Sequence, residues 1–136
     1  LIIAKINEIK SVRCIDLDFS MHRTKSNPTL MMEMIELYLQ QTPTLIKEMK
    51  LSLEKKDWNM LYATAHKIIP SFSIVGISAD FENMAKKIQE YASTQQQTDA
   101  IREMVLKLEK VCDQACTELL EEFNKIKNTH ENATTK

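Results

Sequence analysis

The chain has 136 residues with one glycine, three prolines, 43% hydrophobic and 27% charged residues, and its 18 basic and 19 acidic side chains leave a formal net charge of -1. A single glycine excludes P-loops, dinucleotide fingerprints and kinase-type phosphate loops, which need clustered glycines so that backbone can approach phosphate. Balanced charge without a basic stripe argues against nucleic acid as a partner, and no apolar run approaches the roughly 20 residues of a membrane span.

So few turn residues beside so much Leu, Met, Glu, Lys and Gln predict an all-α domain. Ile2, Ile3, Ile6 and Ile9 are helically spaced, so residues 1–13 read as a helix or linker arm, followed by an irregular connection. Asn27-Pro28 is a helix start, Asn as cap and Pro at the first position. That helix carries Leu30, Met31, Met34, Leu37 and Tyr38 and is expected to end at Thr42-Pro43, where a second opens with Leu45, Ile46, Met49 and Leu53 inward. Asp57 caps the next, whose Trp58, Leu61, Tyr62, Ala65, Ile68, Ile69, Phe72 and Val75 follow an i, i+3, i+4, i+7 series. After Gly76 another helix buries Phe81, Met84, Ala85, Ile88 and Tyr91. A polar, glutamine-rich loop over 93–98 precedes the last helix, 99–128, with Ile101, Val105, Leu108, Cys112, Ala115, Leu119, Phe123 and Ile126 along one stripe.

That helix would be on the order of 40 Å long, so its far end protrudes, and the N-terminal isoleucines are the candidates to cover it. Residues 128–136 read as a disordered tail. The expected architecture is an antiparallel up-down four-helix bundle over 14–127 with the additional N-terminal helix or arm. The initial Leu suggests a fragment of a larger protein. The odd cysteine count suits reduced core thiols in the cytoplasm rather than a disulfide framework. Cys112 and Cys116 read as core, and no metal site is expected.

Of the three histidines only His66 lies within a regular helix. At 100° per residue it falls about 115° from the buried line, so it is expected on the surface. It shares that surface with Asn59, Ala63, Pro70 and Ser73, while Tyr62 and Ile69 border the core. A histidine ringed by short side chains can be approached closely by a macromolecule, and neutral imidazole is an abundant nucleophile near neutrality. No serine or cysteine stands in relay with it, so an enzyme acting by itself is not indicated.

Ala65-His66-Lys67-Ile68-Ile69-Pro70-Ser71-Phe72-Ser73-Ile74-Val75-Gly76 resembles the signature of histidine phosphotransfer (HPt) domains, with its glycine ten residues after the histidine. Leu37 to Pro43 and Lys56-Asp57-Trp58 resemble the approach to that histidine, so the likeness spans residues 14–127. It implies that His66 accepts a phosphoryl group from the aspartyl phosphate of a response-regulator receiver domain and passes it to another. It also implies that Mg²⁺ sits on the receiver and no cofactor on this chain. The implied parent is a hybrid sensor kinase, possessing this monomeric domain at its C-terminus, without membrane contact by the domain itself. Asn59, Tyr62, Ala63, Lys67, Ile69, Pro70, Ser73 and Lys87 would form the docking surface.

Two positions depart from the pattern: Ile69 replaces a lysine and Pro70 a glycine. Lys67, Lys86 and Lys87 are substitutes for the missing cation. Pro70 lacks the N–H that would bond the carbonyl of His66, so a bend or local opening of the helix is expected there. The alternative reading is a bundle of the same fold that binds a receiver as a scaffold without accepting phosphate.

Overall fold

The computed structural model describes residues 13–17, 27–95 and 99–134; the side chains of 130–134 are outside that description, as are all but the last residue of the expected arm over 1–13. The described residues contain four helices and no strand: α1 (Pro28–Lys55), α2 (Trp58–Val75), α3 (Ala79–Thr94) and α4 (Asp99–Thr134). The Asn27 side chain accepts from the N–H groups of Thr29 and Leu30, Asp57 from Met60 and Ser78 from Asp80. These bonds satisfy donors that a helix start leaves orphaned. Lys56, Gly76 and Gln95 take left-handed conformations that end the first three helices, and the first two connections are two and three residues long.

Pro43 does not end a helix. α1 runs through it for 28 residues, correcting the division expected at Thr42-Pro43. Met31, Ile35, Tyr38, Thr42, Ile46 and Met49 are all buried, and their spacing makes one stripe continuous across the proline. Burial along that stripe outweighs the loss of one backbone bond on the exposed side. Thr42 is accordingly a core residue, 1% exposed.

α4 also exceeds its expected end. It continues to Thr134, where a disordered tail was expected from 128. No glycine or proline lies between 128 and 134 to stop it. Its 36 residues correspond to about 54 Å.

α1 packs on α2 and α4, and α3 packs on the same two, an arrangement compatible with a four-helix bundle. The core between them is apolar, with Ile35, Met49, Leu61, Phe72, Ile88 and Leu108 without measurable exposure. No helix among the described residues is long and apolar enough to cross a membrane.

Candidate functional site around His66

α2 owes its orientation to its apolar face. Leu61, Thr64, Ala65, Ile68, Phe72 and Val75 are buried, and the remaining arc must face outward. His66 lies on that arc and is exposed. Four residues earlier is Tyr62, 42% exposed. The two rings are stacked, with centroids 6.4 Å apart and planes 7° from parallel. Among the described residues no hydrogen bond or ion pair engages the imidazole or occupies its ring nitrogens.

Asn59, Lys67, Pro70 and Ser73 are exposed on α2, whereas Ala63 and Ile69 are half-buried. Ile69 packs against the core, so it supplies hydrophobic anchoring and cannot replace a surface cation. Lys87 and its neighbour Lys86 are exposed on α3. Among the described residues Lys67, Lys86 and Lys87 form no ion pair or hydrogen bond, leaving three ammonium groups uncommitted to carboxylates.

The helix does not open at Pro70. α2 is continuous from Trp58 to Val75 with the proline inside it, correcting the expected local opening. Fully buried Ala65 and Ile68 before the proline, and Phe72 and Val75 after it, hold both halves on the same core. Ser71 Oγ donates to the Ile68 carbonyl at 2.6 Å, and Ser73 Oγ to the Pro70 carbonyl at 3.3 Å.

The end of α2 is fixed by Gly76 and by a distant segment. Gly76 has φ +73°, and a Cβ there would come within 2.1 Å of the Asp16 carbonyl oxygen. The Asp16 N–H donates to the Val75 carbonyl at 2.8 Å. Residues 13–17 thus cross the exit of the helix that bears His66 and continue onto α4. There the Cys14 N–H donates to Glu118 at 2.9 Å, the Ile15 N–H at 3.3 Å and Gln114 Nε2 at 2.8 Å. Arg13 pairs with Glu122 at 2.6 Å and donates to the Glu118 carbonyl at 3.2 Å.

Burial opposes ionisation of Glu118. The hydrogen bonds from Gln114, Cys14 and Ile15 outweigh it and hold the carboxyl below its ordinary range. Sequence reasoning missed this clamp because its partners are more than 100 residues apart and no local pattern joins them. The Tyr62–His66 stack was accessible from the i, i+4 spacing, which places both rings on one face.

Burial pushes the thiols of Cys14 and Cys112 up to about 12, and the Cys116 thiol up as well. These cysteines are poor nucleophiles. A groove between α1 and α4 has Pro43, Ile46 and Cys112 among its walls but contains no residue of α2, so it is separate from His66. No group of three or more His, Cys, Asp or Glu side chains among the described residues is arranged to hold a metal. No family model, curated protein or solved structure matches the chain.

Proposed function

We propose that this chain is a histidine phosphotransfer domain, a phosphoryl carrier in which His66 is the acceptor. The observation that carries the reading is an imidazole exposed on a helix whose opposite face is buried in the core, with no hydrogen bond occupying its nitrogens among the described residues. In this reading the four helices run up-down and antiparallel, preceded by an N-terminal arm, in the cytoplasmic part of a sensor kinase. The partners are response-regulator receiver domains that dock over α2 and the adjoining face of α3.

The Nε2 lone pair of neutral His66 attacks the phosphorus of the receiver's aspartyl phosphate. The N–P bond forms as the P–O bond breaks, its electron pair returning to the aspartate carboxylate. Nδ1 retains its proton, so the step needs no base on this chain. The transferring phosphoryl group carries spread negative charge, and its stabilisation falls to cations on the receiver together with the uncommitted lysines of α2 and α3. The return step onto a second receiver reverses the same bonds.

Ile69 and Pro70, where the family signature has lysine and glycine, favour a second reading, a scaffold that binds receivers without accepting phosphate. Incubation with receivers carrying labelled aspartyl phosphate separates the two. Acid-labile label on the wild type and none on His66→Gln is expected. Binding with no label on either protein establishes the scaffold, and equal label on both removes His66 from the mechanism.

A further inference from the structure

We infer that Tyr62 is a positioning residue for His66, an offset parallel aromatic neighbour that limits the rotation of the imidazole and leaves its nitrogens open. The inference rests on the reading of His66 as the phosphoryl acceptor. Its physical basis is the difference between the two ways of restraining an imidazole. A hydrogen bond orients the ring by consuming one nitrogen. An offset parallel aromatic neighbour limits the rotation of the ring, while the nitrogen lone pair and N–H lie in the ring plane and point past the neighbour.

The stack has that second geometry, with planes 7° apart and centroids separated by 6.4 Å, inside the range of aromatic pairs that interact. Tyr62 is suited to serve as that neighbour. It stands one helical turn before His66 on the same face, between buried Leu61 and half-buried Ala63, and is itself 42% exposed. Its ring lies at the surface beside the imidazole.

Full-length chains carrying Tyr62→Phe, Tyr62→Leu and Tyr62→Ala test this. Two readouts need no receiver: the His66 ring-proton chemical shifts, and the rate of phosphorylation by the small donor phosphoramidate. Wild type and Tyr62→Phe should share ring-current-shifted His66 resonances and equal rates. Tyr62→Leu and Tyr62→Ala should lose the shift and phosphorylate roughly two- to tenfold more slowly, with unchanged helical circular dichroism. Leu behaving as Phe in both readouts overturns the inference, as does an Ala variant with wild-type shifts and rate. The receiver assay is run alongside. If phosphoramidate labels His66 but no receiver does, the functional reading fails while the positioning role is still decided by the shifts and the small-donor rates.

Discussion

The Asp16 backbone occupies the space that a side chain at Gly76 would need, and its N–H closes a 2.8 Å bond to the neighbouring Val75 carbonyl. Two requirements therefore meet at one residue, a left-handed φ of +73° and the close passage of a second chain segment. Between them they tie the segment over 13–17 to the end of the helix that presents His66.

Gly76→Ala should destabilise the protein by about 2 kcal/mol or more, since the left-handed conformation alone costs roughly 1–2 kcal/mol and the methyl group must also displace Asp16. Gly76→Asn separates the two contributions, because asparagine tolerates positive φ yet keeps its Cβ. Urea denaturation should find both variants weakened, with Asn only slightly better than Ala. An Asn variant as stable as wild type would show that Asp16 yields without cost.

Glu118 makes a pH-dependent contribution. Its carboxyl is held below the ordinary value of 4.5 by the N–H groups it accepts, so the unfolded chain takes up this proton at higher pH than the folded one. The contribution is complete above about 4.5 and is lost as pH falls through the lower folded value. Glu118→Gln should cost roughly 1–3 kcal/mol at pH 7, because the amide cannot satisfy as many donors. The difference from wild type should narrow steadily below pH 4.5. Denaturant midpoints between pH 3 and pH 7 check this, and a pH-independent difference would remove the carboxylate from the clamp.

Local chemistry made much of this structure legible. Asn27-Pro28, Asp57 and Gly76 each mark a boundary by what one residue does to its own backbone, and the apolar stripe of α2 places His66 outward. Pro43 misled for the same reason, since a strong local breaker was weighed against a stripe whose continuity is evident only when the residues on both sides are buried together. Glu118 was illegible because nothing within its own helix shows that residues 14 and 15 will lay two N–H groups on it. Contacts between distant segments are set by tertiary packing, to which sequence periodicity is blind.

Tyr38 carries a polar group that the core does not use. Its hydroxyl is buried and has no hydrogen-bond partner among the described residues, although Cys112 and Thr42 lie nearby. Burial drives the phenol above its ordinary range. Tyr38→Phe removes the unsatisfied group and keeps the ring, so the urea midpoint should stay unchanged or rise, by up to about 1 kcal/mol in stability. A loss exceeding about 1 kcal/mol would mean that the hydroxyl holds a bond in solution.

Pro70 sets the last prediction, at the helix that presents His66. A proline inside a helix costs about 3 kcal/mol in general, through a missing N–H and crowding of the carbonyl four residues earlier. Here that carbonyl belongs to His66. Both residues are exposed, so water can reach the orphaned oxygen and reduce the cost, and proline also lowers the entropy of the unfolded chain by the equivalent of about 0.4–1 kcal/mol. Pro70→Ala should therefore stabilise the protein by a net of roughly 1–2 kcal/mol and give residue 70 an exchange-protected amide. If the new amide is protected but stability does not rise, the core contacts of Ile68 and Phe72 already absorb the strain. If the amide is unprotected, the His66 carbonyl remains available to solvent or to a docked partner, and the proline is not what frees it.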